Sequence, residues 1–93
     1  MSAVGRSLGI EEEPVVDANG VAGIKISHFY SGSVAEKAGL HAGDVIYSSN
    51  GYRTQVRGNL AWIINHAAPN KMLTMRVRTA SDSKEHTITA QLP

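Results

Sequence analysis

"GSVAEKAGLHAGDVIYSSNG", residues 32–51, sets Gly32, Gly39, Gly43 and Gly51 among mostly small side chains. Ser33 followed by Glu36 has the spacing of a capping box, in which the hydroxyl and the carboxylate each take one of the free amides at a helix start. Gly39 stands where a left-handed residue would stop that helix after barely two turns, with Leu40 folding back as the apolar contact of the cap. His41-Ala42-Gly43-Asp44 then turns the chain. Val45–Ser49 has the apolar content of a strand. Asn50-Gly51 is a strong hairpin signal, because both central residues of a type I′ turn need positive φ. Short helix, turn, strand and hairpin thus follow one another within a single stretch.

Upstream of this stretch, Leu8–Glu13 reads as a candidate strand. Pro14–Gly23 carries Pro, Asp-Ala-Asn-Gly and a second Gly, which predicts a loop with a tight turn at Asn19-Gly20. In "IKISHF", Ile24 and Ile26 share one strand face and Phe29 falls out of phase, so a bulge near His28 is needed to bring Phe29 inward. Downstream, Val56, Leu60, Ile63, Ile64 and Ala67 recur at helical spacing, predicting a longer helix that Pro69 ends. Leu73, Met75 and Val77 alternate with Thr74, Arg76 and Arg78; Ile88, Ala90 and Leu92 alternate with Thr87, Thr89 and Gln91. Each series predicts a strand with one buried face, joined through the polar loop "ASDSK".

Composition narrows the function classes. A chain of 93 residues, 42% hydrophobic, supports one core and one domain. Nine basic and eight acidic residues leave a formal net charge of +1, which gives no electrostatic footprint for nucleic-acid phosphates. The absence of cysteine excludes disulfides and thiolate metal sites and leaves the compartment open. No apolar run approaches the roughly 20 residues of a bilayer span, so membrane insertion is not expected. The start "MSAVGRS" lacks the regions of a secretory leader, which suggests a cytosolic chain or a piece of a longer protein. His28, His41, His66 and His86 match no HExxH or other metal spacing, no G-x-S-x-G elbow occurs, and no Gly-Lys-Ser/Thr follows the glycines. An enzyme, a metal and a cofactor are therefore not expected. His86 shares the phase of Ile88 and is predicted to be partly buried.

The ordered series "GIKISHF", Gly32-Ser33, "AEKAGL", Gly43-Asp44-Val45-Ile46 and Asn50-Gly51, followed by a long helix and two closing strands, resembles a PDZ domain. The likeness runs from about Gly5 to Leu92, so residues 1–93 are read as one such domain. The fixed spacing of "GS-x-AEKAGL-x-x-GD-x-I-x-x-x-NG" makes it specific. The element "SLGI" is similar to the form found in bacterial HtrA-like proteases. The resemblance implies an α+β fold: a five- to six-stranded, mainly antiparallel, partly open barrel or sandwich capped by one short and one longer helix.

It also implies a function. PDZ domains capture a partner's free C-terminus by adding it as a strand to a sheet edge. Here Leu8–Glu12 would be the receiving strand and Val56–His66 the opposite wall. Arg6, Ser7, Leu8 and Gly9 would wrap the terminal carboxylate, Gly9 permitting the dihedrals that a nest of backbone amides requires. Arg6 would add charge, or is simply a solvated arginine. Leu8, Ile10, Leu60 and Ile64 would line a pocket for a last Val, Ile, Leu or Phe, although any α+β core needs such residues too. Arg57 and Ala61 would face the ligand residue two before the end, where Arg57 suits an acidic or carbonyl-bearing group; a register slip of one residue would move Arg57 to the rim. Trp62 should lie opposite the apolar stripe and be exposed, either as a contact site or flat on local side chains. Glu11–Glu13 is a solvated run, or one that favours basic residues upstream in the ligand. Ser49 stands where the family has an apolar residue, and its buried hydroxyl would have to bond to backbone.

Two functions follow from the resemblance. One is a peptide-binding adaptor without chemistry of its own, monomeric as an isolated domain, whose partners are protein C-termini or extended peptides with an apolar last residue. The other is the regulatory or substrate-recognition segment of a larger protease, HtrA-like or membrane-associated. A third arrangement would have the groove closed by the protein's own loop. Capture of its own tail is not expected, because "TAQLP" ends in proline.

Overall fold

The alternating apolar residues of the C-terminal half pair as the pattern requires. In the computed structural model, which describes residues 8–67 and 72–92, Leu73, Met75 and Val77 are buried on β5 (Met72–Arg78), beside Ala90 on β6 (Glu85–Gln91) and Leu92 just beyond it. The earlier elements are β1 (Ile10–Val16), β2 (Ala22–Phe29), α1 (Val34–Ala38), β3 (Val45–Ser49), β4 (Tyr52–Arg53) and α2 (Asn59–His66). They form a six-stranded antiparallel sheet in the order β1-β2-β3-β5-β6, with β4 attached to β3. The sheet does not close on itself. Its inner face and the two helices share one core, built on Ile24, Ile26, Ile46, Leu60, Ile63, Ile64, Met75 and their neighbours.

The capping signals of the Gly32–Gly51 stretch are realised almost atom for atom. Ser33 is the N-cap of α1, and its Oγ accepts the Glu36 N–H at 3.1 Å. The Glu36 carboxylate takes the N–H of Gly32 at 2.6 Å, one residue before the position of a standard capping box. Gly39 closes the helix with φ 87°, and the Leu40 N–H reaches back to the Ala35 carbonyl at 3.0 Å while its side chain is buried. Asn50 and Gly51 both have positive φ and connect β3 to β4 with Ser49 opposite Tyr52.

Phe29 reaches the core through an irregularity in β2: the register against β1 slips between Glu11 and Glu12, leaving Ser27 unmatched next to His28. Four sequence expectations need correction. The first strand is not Leu8–Glu13 but Ile10–Val16, running through Pro14. Proline is tolerated because β1 is a marginal strand, and Pro14 lies two residues from Glu12, whose carbonyl faces the unpaired side. The longer helix begins at Asn59, not Val56. Gly58 is left-handed at φ 98°, and the Asn59 Oδ1 accepts the N–H groups of Gln55 and Val56, holding them in a turn and leaving Val56 exposed. Its predicted end at Pro69 lies outside the described residues. The buried Ser49 hydroxyl makes no hydrogen bond among the described residues. His86 is exposed, because α1 packs near the Ala90 and Leu92 end of β6 and leaves the His86 end open beside the β5–β6 loop.

That loop contains a group with a pH signature. The Asp82 carboxylate accepts the Thr79 hydroxyl at 2.5 Å, the Lys84 N–H at 2.9 Å and the His86 ring at 2.7 Å. These donors, led by Thr79, hold its pKa down to about 2. A carboxyl depressed by folding contributes stability above its unfolded pKa and loses it as pH falls through the folded value. The loop should therefore loosen between about pH 4 and pH 2. An NMR titration of the Asp82 side chain should give a midpoint near 2; an ordinary aspartate midpoint would contradict the hydrogen-bond set.

Candidate functional site

The slip at Ser27 and the short α1 together shape the start of β1. Leu8 is buried, and its carbonyl accepts the Ala35 N–H of α1 at 3.0 Å, satisfying one of the free amides at that helix start. The Gly9 carbonyl accepts the Tyr30 N–H at 3.0 Å, continuing the pairing of β1 with β2. Gly9 itself has φ 77°, and a Cβ there would lie 2.5 Å from the Cβ of Ser33. No other residue fits without movement. The carbonyls of Leu8 and Gly9 are thus engaged, while neither N–H has an acceptor among the described residues.

Between the outer edge of β1 and helix α2 lies a cleft of about 340 Å³, lined by Leu8, Gly9, Ile10, Glu12, Leu60, Ala61, Ile64 and, at one end, Tyr30. Five of the residues expected from the sequence to form a pocket and its wall, Leu8, Ile10, Leu60, Ala61 and Ile64, meet here. Leu60 and Ile64 are buried and serve the core as well, whereas Ala61 is exposed at the rim. Leu8 and Gly9 precede β1 and form its entry, not its first rungs. Arg6 and Ser7 lie outside the described residues.

Arg57 is not on a helix turn. It sits before Gly58, and its Nη2 donates to the Glu12 carbonyl at 2.9 Å, bridging from the approach to α2 across to β1. Because that carbonyl meets Arg57 and not β2, it marks the direction of the unpaired edge. Alternation of backbone direction along a strand gives Ile10 the same orientation.

Glu12 and Tyr30 line the cleft and were not singled out as site residues by sequence reasoning. Glu12 looked like one member of a solvated acidic run, yet the two-residue period of β1 separates it from exposed Glu11 and Glu13 and half-buries it. Its Oε1 is shut off from solvent and has no hydrogen-bond partner among the described residues, and burial pushes its carboxyl pKa up, partly opposed by the Arg57 guanidinium. Tyr30 donates its hydroxyl to Glu11 Oε2 at 2.9 Å, a bond that raises the phenol pKa. Alternation from Leu8 and Ile10 could have pointed to Glu12, whereas Tyr30 is brought to the cleft only by the pairing of β2 with β1.

Trp62 is 48% exposed on α2 and lies on local side chains, stacked on His66 at 3.9 Å and edge-on to Tyr52 at 5.4 Å. Among the described residues no group of three or more His, Cys, Asp or Glu could hold a metal ion, and no helix is long and apolar enough to cross a membrane.

A family model described as PDZ domain matches residues 1–78. No curated protein matches the chain. Among solved structures, the HtrA-type protease AlgW with a decapeptide aligns at TM-score 0.72 and 22% identity over 90% of this chain. The chain spans only 27% of that protease chain. The HtrA3 PDZ domain bound to a phage-derived ligand, FGRWV, aligns at TM-score 0.70 and 20% identity, over 90% of this chain and 81% of that one. The photosystem II D1 C-terminal processing protease aligns at 0.62 and 20%, over 91% and 22% of the two chains. At these identities the structural likeness is one of fold.

Proposed function

The chain belongs to the PDZ domain family, and on that premise we propose that residues 1–93 form one peptide-binding module that captures a partner's C-terminus by strand addition and performs no chemistry of its own. The added strand lies against the outer edge of β1, with α2 as the opposite wall. The observation that supports this reading best is the cleft lined by Leu8 and Gly9, whose N–H groups have no acceptor among the described residues. Backbone amides without acceptors attract an anion, and a terminal carboxylate is the anion that a strand brings with it. Arg6 and Ser7 are proposed to complete that end. Leu8, Ile10, Leu60 and Ile64 form the seat of an apolar last residue, whose burial contributes about 1.5–3 kcal/mol. The peptides named for the two HtrA-type neighbours support a peptide as the ligand, and the one whose sequence is given, FGRWV, ends in Val.

An NMR titration of the isotopically labelled chain with peptides ending in Val, Ile, Leu or Phe tests the reading. Shifts should concentrate at Leu8–Glu12 and Leu60–Ile64 with a free C-terminus and disappear when it is amidated. Equal shifts with both forms, or none, would remove carboxylate capture.

The match to 27% of an HtrA-type protease chain supports a second reading, in which the same groove delivers substrates to a catalytic domain outside this sequence. A trypsin-like Ser-His-Asp domain or a membrane zinc-protease motif in the flanking sequence would favour it, and other interaction modules would favour the adaptor.

A further inference from the structure

Asn-Gly occurs at Asn19-Gly20 and at Asn50-Gly51, each in the turn of a hairpin. The dipeptide is reactive in water. Glycine places no Cβ beside its own nitrogen, so that nitrogen can reach the side-chain amide carbon of the preceding asparagine and close a five-membered ring. Whether it does so in a folded chain depends on how the two partners are held, and the two turns hold them differently. Asn50 is clamped: its Oδ1 accepts the Thr74 N–H at 2.8 Å, and its own N–H donates to the Thr74 carbonyl at 2.8 Å. Turning its side chain toward the Gly51 nitrogen would break the first bond and take the acceptor from a strand amide.

Asn19 carries no such clamp. Residues 18–20 are exposed, and the Asn19 side-chain amide has no hydrogen-bond partner among the described residues. Its backbone is nevertheless fixed, because Asp17 Oδ1 accepts the N–H groups of Asn19 at 2.8 Å and Val21 at 2.9 Å. The side chain is therefore free to turn on a held backbone. The nucleophile has one restraint, the bond from the Gly20 N–H to the Asp17 carbonyl at 3.0 Å, at an exposed hairpin tip where such bonds open locally. Gly20 is left-handed at φ 80°, and nothing lies within 4 Å of where its Cβ would be, so solvent reaches the site.

We propose that Asn19 is a site of spontaneous covalent modification, converting to aspartyl and isoaspartyl residues through a succinimide, while the clamp on Asn50 spares that residue. In the first step the Gly20 nitrogen gives its proton to solvent and bonds to Asn19 Cγ; the Cγ–Nδ2 bond breaks and ammonia leaves with a proton from water. In the second, water adds to one of the two ring carbonyls. Opening at Cγ gives aspartate; opening at the backbone carbonyl leaves the main chain running through Cβ and Cγ, one atom longer. Water is consumed, ammonia is released and nothing is oxidised. Either product sets a new carboxylate beside Asp17, whose Oδ2 accepts the Tyr47 hydroxyl at 3.0 Å. The isoaspartyl form also lengthens a turn whose span is set by Val16 pairing with Ala22. Gly23, packed against Val45 and Tyr47, holds the β2 side in place, so the adjustment falls on residues 17–21 and the exposed end of β1.

The test incubates the full chain at mildly alkaline pH, folded and in concentrated urea, and follows tryptic peptides by mass spectrometry. Cleavage after Arg6, Lys25, Lys37 and Arg53 puts the two asparagines on separate peptides, residues 7–25 and 38–53. In the folded chain, peptide 7–25 should exchange its amide for a carboxyl about fivefold faster than peptide 38–53, the worth of the bond that Asn50 must break. In urea, where neither turn persists and Gly follows both residues, the two rates should agree within about twofold. Fragmentation should place the change at Asn19, and NMR of the aged chain should move residues 16–22 and Tyr47 while leaving Leu8–Glu12 and Leu60–Ile64 in position. Equal rates in the folded chain, or faster conversion of peptide 38–53, would overturn the proposal. So would a preference that survives in urea, which would assign it to sequence and not to the fold, or no conversion of Asn19 in either state. None of these outcomes depends on what the cleft binds.

Discussion

Asp44→Ala is expected to lower stability by about 3 kcal/mol, since it removes two part-buried hydrogen bonds to a carboxylate, each contributing about 1.5 kcal/mol at the low end for bonds to a charged group. Asp44 is 1% exposed, and its two carboxylate oxygens take separate tasks: Oδ2 accepts the His41 N–H at 2.9 Å and Oδ1 the Ala80 N–H at 2.9 Å. The first bond closes the turn between α1 and β3; the second fastens that turn to the β5–β6 loop, 36 residues on in the chain. Neighbouring backbone depends on the same turn, because Gly43 N–H donates to Ile26 and Ile26 N–H to the Asp44 carbonyl, both at 2.8 Å. For a domain of this size the loss should reduce Tm by roughly 15 °C, taking 4–8 °C per kcal/mol. Urea unfolding measures the loss, and amide exchange should show Ala80 and His41 among the first positions to lose protection. Asp44→Asn keeps one oxygen acceptor and should cost about half as much. An alanine variant within 0.5 kcal/mol of the parent would mean that water replaces the carboxylate.

Asp44 also shows where a sequence stops being readable. "HAGD" is legible as a turn, but its partner at Ala80 is remote in sequence and carries no composition signal. The features that could be read were local: the hydroxyl and acid three apart at Ser33 and Glu36, the Asn50-Gly51 turn, and the two-residue alternation of β5 and β6. Errors came where a local preference met a tertiary alternative. Pro14 reads as a breaker, yet at a marginal strand its missing N–H costs nothing. Val56 fits the helical stripe, yet Gly58 and the Asn59 side chain hold the preceding backbone in a turn. The apolar lining of the cleft was foreseeable because Leu8, Ile10, Leu60 and Ile64 sit in recognisable motifs. Glu12 was not, since its burial depends on Arg57 and the start of α2 lying across from it, a tertiary arrangement that the acidic run does not signal.

Gly9→Ala should have the other large effect, on both stability and binding. The residue occupies φ 77°, where a side chain costs about 1–2 kcal/mol, and the new Cβ would fall 2.5 Å from the Cβ of Ser33. Ser33 cannot yield freely, because its Oγ caps α1 through Glu36 and its backbone N–H is held by the Tyr30 carbonyl at 3.1 Å. The chain at Leu8 cannot easily retreat either, being tied to Ala35. Strain and forced contact together should cost about 2–4 kcal/mol. Relief can come only by shifting the entry to β1, and that shift re-aims the Leu8 and Gly9 amides. Under the proposed function, the free-ended Val peptide should then bind at least tenfold more weakly even at temperatures where the variant remains fully folded. Ser33→Gly offers the control: placed behind Gly9→Ala it removes the facing Cβ, sacrifices the cap at about 1 kcal/mol or less, and should recover part of the lost binding. Recovery of affinity despite a weakened helix cap would separate the geometry of the amides from the stability of the domain; a double variant no better than Gly9→Ala alone would show that the left-handed backbone, and not the contact with Ser33, governs the loop.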